Sequence, residues 1–250
     1  MRVDKKVTEM KERMTAEKAA QKGIAYGVGV GPGDPELLTL KARRVILESD
    51  VIAVSGKDPT DSLAYRIALE AVPELAEKEV FTVEMPMVKD EAVLRSSHAK
   101  AAAAIEKRLD QGKNLAYLTL GDPSVYCSFS YIRHILEADG YTAGSVSGVT
   151  SFCAAAARLG TALADWDEPL HVIPGSFITG NEVPDWPGNY VIMKSSAKAG
   201  HIRDMLSAAG YEVMAVEKCG MDGEAVYMSS DEFPDTAGYF TLIVAKQKTE

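Results

Sequence analysis

Apolar and polar positions along the chain form blocks whose period changes from about two residues to about four. Residues 24–30 are a short apolar run that predicts a strand, residues 36–48 carry a helical pattern, and residues 51–54 are again apolar and β-branched. A strand, a helix and a second strand in this order form a βαβ unit. The first part of the chain is therefore predicted to build a parallel sheet.

The same alternation continues to about residue 138. Residues 90–110 predict a helix that stops at Gly112 and buries one apolar face, formed by Leu94, Ala101, Ile105 and Leu109. An apolar strand at 115–120 follows, and a break at residues 121–123 separates it from a helix that ends near residue 138.

Beyond residue 148 the pattern changes to an alanine-rich helix at 151–159 and a second helix at 198–208. Apolar runs predict strands at 170–173, 190–193, 211–216, 225–228 and 239–245. The last three follow one another closely, which favours antiparallel pairing. We expect an α/β fold of two domains with a ligand cleft between them: a mostly parallel sheet in residues 23–147 and a mixed sheet in 148–250.

The first 22 residues form a charged extension before these domains. Its apolar positions include Val3, Val7, Met10 and Met14, which are spaced 4, 3 and 4 residues apart. This spacing is typical of the apolar face of an amphipathic helix. Four acidic residues argue against a transit peptide. We expect a helix that is solvated or contacts a partner.

Charge and composition exclude several classes of protein. The 250 residues include 27 basic and 36 acidic side chains, a net charge of −9 that repels nucleic acid and anionic membranes. No apolar stretch approaches the roughly 18 residues of a membrane span, and the start lacks the apolar block of a signal peptide. We expect a cytoplasmic protein without nucleic-acid or membrane partners.

Cysteines and histidines fit no metal site. The three cysteines contain no C-x-x-C pair, and no zinc-ligand spacing connects the four histidines, which are His98, His134, His171 and His201. We expect reduced, core-packed thiols at Cys127, Cys153 and Cys219, and no protein-bound metal.

The first predicted strand ends in a glycine-rich loop, GVGVGPGDP at residues 27–35. A dinucleotide fingerprint reads G-x-G-x-x-G, but Pro32 or Asp34 occupies the position of the third glycine. The two prolines lack amides that could hold phosphate, and Asp34 and Glu36 would repel it. We expect a ligand other than a pyrophosphate to approach this backbone; a tight structural turn is the alternative.

Two further glycine-containing loops are candidates for a ligand site, and the first of them follows the strand predicted at 115–120. Residues 120–126, LGDPSVY, place the Asp122 carboxylate beside Gly121, and residues 147–151, SGVTS, place hydroxyls at a helix start. Such groups suit S-adenosylmethionine, which carries a sulfonium, an ammonium and a ribose diol. An Asp-Pro turn and a helix N-cap are the structural alternatives.

Together the three loops resemble the tetrapyrrole methylase family, the class III S-adenosylmethionine-dependent methyltransferases. The resemblance covers about residues 24–246 and rests on three segments, 28–42, 119–126 and 146–151. Ser147 stands where the family usually has proline. Segments 84–90, EMPMVKD, 119–126 and 148–156 are similar to the precorrin-2 C20-methyltransferases of cobalamin synthesis.

The resemblance implies a homodimer that binds S-adenosylmethionine, releases S-adenosylhomocysteine and methylates a tetrapyrrole. The expected substrate is precorrin-2, or its cobalt-bearing counterpart (cobalt-factor II or cobalt-precorrin-2), at the electron-rich C20. The main task of such an enzyme would be to align that carbon with the donor methyl group and to exclude water. Matching motif positions imply cofactor contacts at Pro32, Leu120, Gly121, Asp122, Val125, Tyr126, Thr150, Ser151, Met193, Cys219 and Thr241.

No catalytic residue follows from the sequence, and nothing in it selects a general base. Candidates for holding the substrate's carboxylates are basic side chains, namely Lys57, Arg66, Lys89, Arg133 and Lys194. The alternatives are methylation of another ring carbon and, less favoured, methylation of diphthamide in a protein. A non-catalytic nucleotide-binding or regulatory module is the alternative from a different class.

Asp122 is expected to act through the cofactor, because a rigid turn holds it at the carboxyl end of a strand. Replacing it with alanine removes one charge-assisted hydrogen bond, so cofactor affinity should fall about 10- to 150-fold while the fold survives. If Asp122 only stabilises the turn, the variant should melt earlier and bind normally.

The three loops predict which nucleotide the chain binds. Calorimetry should detect binding of S-adenosylhomocysteine and none of NAD, because the first loop lacks the dinucleotide register and the phosphate-binding amides. Tight binding of NAD without a response to S-adenosylhomocysteine would contradict this interpretation.

Overall fold

The structure, a computed structural model, describes residues 22–180, 184 and 186–247. These residues form two α/β domains. The first comprises residues 22–31 and Pro35–Val149, and the second comprises Pro32–Asp34 and residues 150–247. The helix predicted for residues 1–22 lies, apart from Lys22, outside the described residues.

Five strands form the sheet of the first domain: β1 (Ile24–Gly29), β2 (Val51–Ser55), β3 (Glu79–Val83), β4 (Leu115–Thr119) and β5 (Thr142–Val146). Their order across the sheet is β3-β2-β4-β1-β5, and all neighbouring pairs are parallel. The predicted parallel sheet is thus confirmed. In β1, β2 and β4 most residues are buried, as expected for strands covered on both faces.

Helices cover both faces of this sheet: α1 (Leu40–Glu48), α2 (Leu63–Ala71), α3 (Glu91–Leu109) and α4 (Phe129–Ala138). One core contains Ile46, Ile52 and Ile67, and the opposite core contains Ile105, Leu115 and Phe129. Short 3-10 helices occupy Pro35–Leu37, Pro59–Asp61 and Pro73–Glu77. The sequence interpretation contained no counterpart of α2, β3 or β5.

The helix predicted from residue 36 begins later than expected. Thr39 is extended, with φ −70° and ψ 148°, and its hydroxyl oxygen accepts a hydrogen bond from the Ala42 amide at 3.1 Å. This N-cap starts α1 at Leu40, so the 3-10 helix at Pro35–Leu37 is a separate turn. Asp34 and Glu36 therefore do not lie in the first turn of α1.

Helix α3 is confirmed almost to the residue. The Asp90 carboxylate caps its first turn by accepting from the Ala92 amide at 2.8 Å and the Val93 amide at 3.2 Å. Of its predicted apolar face, Leu94 is only half-buried, whereas the other three residues lie in the core: Ala101, Ile105 and Leu109.

The second domain has a mixed sheet of five strands: β6 (Leu170–Pro174), β7 (Asn189–Met193), β8 (Tyr211–Glu217), β9 (Ala225–Tyr227) and β10 (Thr241–Gln247). The order is β6-β7-β10-β8-β9. Strands β6 and β7 are parallel, and the other pairs are antiparallel, which confirms the expected mixed sheet. Helices α5 (Ser151–Leu159) and α6 (Ala199–Ala208) pack on this sheet.

The expectation of core-packed thiols is wrong for one cysteine. Cys127 and Cys219 are buried, but Cys153 is exposed on α5. None forms a disulfide, and the described residues contain no cluster of three or more His, Cys, Asp or Glu side chains arranged for a metal ion. None of the described helices is both long and apolar enough to cross a membrane.

The packing of α4 against β1 predicts that Gly27 tolerates no side chain. A Cβ atom there would lie 2.1 Å from Cδ1 of the buried Phe129 ring. Gly27→Ala should therefore lower the free energy of unfolding by about 1–3 kcal/mol, measured by urea denaturation.

Gly144→Ala, in the neighbouring strand β5, is the control. Its Cβ atom would lie 3.2 Å from the nearest atom of the Tyr26 ring, which is only partly buried. It should leave stability unchanged or raise it by up to about 1 kcal/mol. An equal loss in both variants would contradict this account of the packing.

Candidate functional site

Three glycine-containing loops meet at the carboxyl ends of β4, β1 and β5, which are adjacent in the sheet. The Gly121 amide donates to the Gly31 carbonyl at 2.8 Å, and the Gly31 amide donates to the Gly121 carbonyl at 3.3 Å. The Thr39 hydroxyl donates to the carbonyl of Ser147 at 3.3 Å. The parts of these loops that belong to the first domain thus come together. In the sequence the loops are separate, at 27–35, 120–126 and 147–151.

Close packing between the loops explains two of the glycines. A Cβ atom on Gly148 would lie 2.1 Å from the Gly121 carbonyl oxygen, and one on Gly29 would lie 2.5 Å from the same oxygen. These glycines let the loops approach one another, and the approach of a ligand to this backbone stays a prediction. Gly121 itself has φ +69° and open space where a side chain would be, so a ligand can approach there.

The Asp122 carboxylate ties two of these loops together. Its Oδ1 accepts from the Ser124 amide at 2.7 Å and the Ser124 hydroxyl at 2.5 Å, and its Oδ2 accepts from the Gly148 amide at 2.9 Å. Asp122 is 8% exposed, and its oxygens are engaged by protein donors. This geometry favours the turn alternative, and a contact of the carboxylate with the cofactor stays a prediction.

Burial and hydrogen bonding act on Asp122 in opposite directions. Burial alone would raise the pKa of the carboxyl, but the hydrogen bonds from Ser124 and Gly148 stabilise the charged form and outweigh it. The net effect lowers the pKa below its ordinary value. Asp122 is therefore a fixed negative charge at neutral pH and holds no proton to donate.

The rest of the loop after β4 offers an apolar and aromatic surface. Leu120 packs against the core of the first domain, and the Val125 amide donates to the Asp122 carbonyl at 3.2 Å. Tyr126 is 50% exposed and has φ +48°, a conformation that is unfavourable for a tyrosine.

In the second domain, the ends of β7 and β8 lie beside the start of β10, because β10 runs antiparallel to both. Met193 at the end of β7 pairs with Leu242, and Thr241 pairs with Glu217 at the end of β8. At this end of the strands the sheet therefore carries three predicted cofactor residues: Met193, Cys219 and Thr241.

Residues Pro32–Asp34 pack against this domain close to Cys219. A Cβ atom on Gly33 would lie 2.4 Å from the Cys219 carbonyl oxygen, so glycine is required there. Burial and the nearby Glu224 raise the pKa of the Cys219 thiol to about 11, with a smaller contribution from Asp34. The thiol is neutral at physiological pH and is not a nucleophile.

Two buried threonine hydroxyls have no partner among the described residues. Thr150 is the N-cap residue of α5, yet its side chain makes no capping hydrogen bond, which overturns the N-cap alternative for this residue. Thr241 is 1% exposed, and its hydroxyl is also unpaired within the described chain. A buried polar group without a partner is unusual and points to a ligand or water. Ser151, also a predicted contact, begins α5 and is half-buried.

Backbone conformation and an unpaired hydroxyl mark two positions that the sequence interpretation missed, Lys218 and Ser195, and a third, Lys194, that it named only as a candidate for the substrate's carboxylates. Lys194 and Lys218 have φ +57° and +53°, and each is adjacent to a predicted cofactor residue, Met193 or Cys219. Ser195 is 4% exposed, and its hydroxyl has no partner in the described part of the chain. Strained backbone of this kind concentrates at functional sites. No local sequence pattern would have revealed it, because these residues are not glycine or asparagine.

The basic residues expected to hold substrate carboxylates lie at the surface of the described structure, and Lys194 among them is exposed. Arg133 forms an exposed ion pair with Glu137 at 2.7 Å, whereas Lys57, Arg66 and Lys89 are exposed. Their role stays a prediction.

Two five-stranded α/β domains, one parallel and one mixed, define the fold of the class III methyltransferases. Among solved structures with this fold is uroporphyrin-III C-methyl transferase from Thermus thermophilus complexed with S-adenyl homocysteine. Its TM-score is 0.62 at 20% identity, over 90% of this chain and 92% of that one.

Sequence comparison gives the family. The profile of the tetrapyrrole (corrin/porphyrin) methylases matches residues 25–232, and the chain belongs to this family.

Two curated relatives are similar over most of the chain. The cobalamin biosynthesis protein CobIJ of Mycobacterium bovis is 34% identical over 232 residues, which are 88% of this chain and 45% of the relative. The chain thus spans about half the length of that protein. The probable cobalt-precorrin-2 C(20)-methyltransferase of Methanocaldococcus jannaschii is 31% identical over 232 residues, 89% of this chain and 95% of the relative.

The hydrogen bonds of Asp122 predict a pH-dependent contribution to stability. Because the pKa is lowered in the folded state, the contribution is complete above the unfolded value of about 3.9 and is lost as the pH falls through the folded pKa. Asp122→Asn cannot accept at both oxygens, so it should be about 1–3 kcal/mol less stable near pH 7. Below about pH 4 this difference should narrow.

Thermal or urea unfolding of both proteins between pH 3 and 7 measures the difference. Asp61→Asn, at an exposed carboxylate of the same domain, is the control and should leave stability nearly unchanged at every pH. A constant difference between wild type and Asp122→Asn down to pH 3 would contradict the assigned hydrogen bonds.

Proposed function

We propose that the chain transfers a methyl group from S-adenosylmethionine to C20 of precorrin-2 or of its cobalt-bearing counterpart in cobalamin synthesis. The observation that carries the proposal is the pair of unpaired buried hydroxyls of Thr150 and Thr241 in the described structure. Both residues occupy positions that the family resemblance assigns to the cofactor. The choice of C20 is supported by similarity to the Methanocaldococcus jannaschii relative and by the EMPMVKD segment at 84–90.

In each domain, taken by itself, residues at the strand ends offer groups that fit parts of S-adenosylmethionine. Threonine hydroxyls can donate and accept, so they suit its ribose, ammonium and carboxylate groups. The open side of Gly121 leaves room for close approach to the backbone, and the half-buried Met193 offers apolar contact. When bound, S-adenosylmethionine supplies an activated methyl group on its sulfonium.

The chain's own residues contribute binding and alignment. The Cys219 thiol stays protonated and the Asp122 carboxylate is engaged by protein donors, so neither offers a nucleophile or a free base. The electron-rich C20 needs no such activation. Holding this carbon in line with the donor methyl is an entropic contribution that can supply most of the rate enhancement.

We also propose that the chain acts as a homodimer. The proposal rests on the family resemblance, and light scattering that gives a 26.9 kDa monomer would refute it.

The direct test is methyl transfer from ¹³C-labelled S-adenosylmethionine. Precorrin-2, cobalt-precorrin-2 and uroporphyrinogen III are each incubated with the protein, and carbon NMR locates the label. We expect label at C20 of precorrin-2 or of its cobalt form, and none on uroporphyrinogen III.

Each other outcome contradicts a different part of the proposal. Label at another ring carbon would refute the assignment to C20 but would still support methyl transfer to a tetrapyrrole. Binding of S-adenosylhomocysteine without transfer to any of the three compounds would favour the non-catalytic module.

The unpaired hydroxyl of Thr241 predicts opposite effects on binding and on folding. Thr241→Val keeps the shape but removes the hydroxyl, so affinity for S-adenosylhomocysteine should fall about 2- to 13-fold, the range of one neutral hydrogen bond. The melting temperature without ligand should stay the same or rise, because no partner loses its bond.

Thr142→Val, at the exposed first residue of β5, is the matched control and should change neither quantity. Calorimetry and thermal melting on the same samples provide both readings. A lower melting temperature with unchanged affinity would show that the Thr241 hydroxyl serves the fold and would remove it from the site.

A further inference from the structure

Ser195 follows the end of β7 and carries a buried hydroxyl that the described fold does not use. The residue is 4% exposed, and its hydroxyl has no hydrogen-bond partner within the described chain. Ser195 directly precedes a 3-10 helix at Ser196–Lys198, but its side chain makes no capping bond to that helix. Its carbonyl instead accepts from the Lys198 amide at 2.9 Å. The capping role that serine often has before a helix therefore does not explain this hydroxyl.

Close packing holds the backbone of Ser195 in place. A Cβ atom on Gly175 would lie 2.7 Å from the Cα atom of Ser195, so the chain that leaves β6 touches the chain that leaves β7. The residues on either side, Lys194 and Ser196, have φ +57° and +41°. Such conformations cost free energy and persist only where the surrounding structure fixes them. The Ser195 side chain is therefore held at a defined place beyond the end of β7.

Ser195 lies at the same end of the sheet as two residues that the resemblance assigns to the cofactor. Met193 is the last residue of β7, two positions before Ser195, and it pairs with Leu242. Thr241, the residue before Leu242, has a hydroxyl that is likewise buried and unpaired in the described structure. The end of β7 and the start of β10 thus place two buried, unpaired hydroxyls at one end of this sheet.

The buried groups at this end of the strands are uncharged. Ser195 and Thr241 carry neutral hydroxyls, and the Cys219 thiol is protonated because burial raises its pKa to about 11. The charged side chains that end or follow β7 and β8 are half-buried or exposed: Lys194, Glu217 and Lys218. Burying a carboxylate or an ammonium among neutral groups costs much free energy, whereas neutral donors and acceptors can satisfy ring nitrogens and hydroxyls. These groups therefore suit the adenosine half of S-adenosylmethionine better than its charged amino-acid half.

We propose that the Ser195 hydroxyl binds the adenosine part of S-adenosylmethionine, as a contact additional to those that the family motifs assign. This inference rests on the proposed function, because it concerns the same cofactor. Adenosine offers ring nitrogens, an exocyclic amine and ribose hydroxyls, so a serine hydroxyl can donate to it or accept from it. The bond satisfies a polar group whose burial otherwise costs free energy.

Ser207 is the matched control, because its hydroxyl is also buried and unpaired among the described residues. It lies in the last turn of α6, shortly before the chain enters β8 at Tyr211. This is the opposite end of β8 from Glu217, which pairs with Thr241. If the buried, unpaired hydroxyls of this domain only take up water, Ser195→Ala and Ser207→Ala should behave alike.

Calorimetry and thermal melting are carried out on wild type, Ser195→Ala and Ser207→Ala. The ligands are S-adenosylhomocysteine and 5′-methylthioadenosine, which keeps the adenosine and lacks the amino-acid half. Ser195→Ala should weaken the binding of both compounds by the same factor, about 2- to 13-fold, the range of one neutral hydrogen bond. Its melting temperature without ligand should not fall, because no partner in the described chain loses a bond. Ser207→Ala should bind both compounds like wild type.

Equal affinity of wild type and Ser195→Ala for S-adenosylhomocysteine would overturn the inference and leave the proposed function in place. Equal weakening by Ser207→Ala would also overturn it, because the position at the strand ends would then be irrelevant. Weaker binding together with a lower melting temperature of Ser195→Ala would assign the hydroxyl to the fold.

Two further outcomes concern the ligand. Weaker binding of S-adenosylhomocysteine without a matching loss for 5′-methylthioadenosine would refute the assignment to adenosine, as would a wild type that binds only the former. If wild type failed to bind S-adenosylhomocysteine, the proposed function and the inference would both fall.

Discussion

The hydrogen bond from the Gly148 amide to the Asp122 carboxylate joins the ends of β4 and β5, two strands that do not pair with each other. Strand β1 lies between them, so the two loops close over its end at Gly29. This closure is possible only because Gly29 and Gly148 carry no side chains. A charged acceptor shared by two loops restrains both of them, since each donor would lose a strong hydrogen bond if either loop moved.

The two domains differ in how the polar groups of the candidate site residues are satisfied. In the first, the Asp122 carboxylate is engaged by protein donors, and the loops form a rigid platform. In the second, the described hydroxyls of Thr150, Ser195 and Thr241 are buried without protein partners. Burying such groups costs free energy that a ligand can recover. The first domain thus offers a ligand a surface of fixed shape, and the second domain offers a ligand hydroxyls that have no partner in the described chain.

Sequence periodicity predicted the long and strongly patterned elements, such as α3 and the antiparallel strands after residue 210. It missed α2 and β3, and it began α1 too early, because Thr39 can cap a helix or continue one and only the tertiary context decides. The three loops were recognisable from glycine and proline. Their mutual packing was not, since the contacts of Gly29 and Gly148 with Gly121 join residues distant in sequence. The strained φ of Lys194 and Lys218 left no trace in residue type.

The central claim is that the unpaired hydroxyls of the second domain are completed by the methyl donor, and the protein's crystal structure with S-adenosylhomocysteine tests it most directly. The account predicts ligand atoms within about 2.7–3.2 Å of the Thr150 and Thr241 hydroxyls. It also predicts that the Asp122 carboxylate keeps its bonds to Ser124 and Gly148. A ligand bound elsewhere, with both threonine hydroxyls still unpaired, would contradict it.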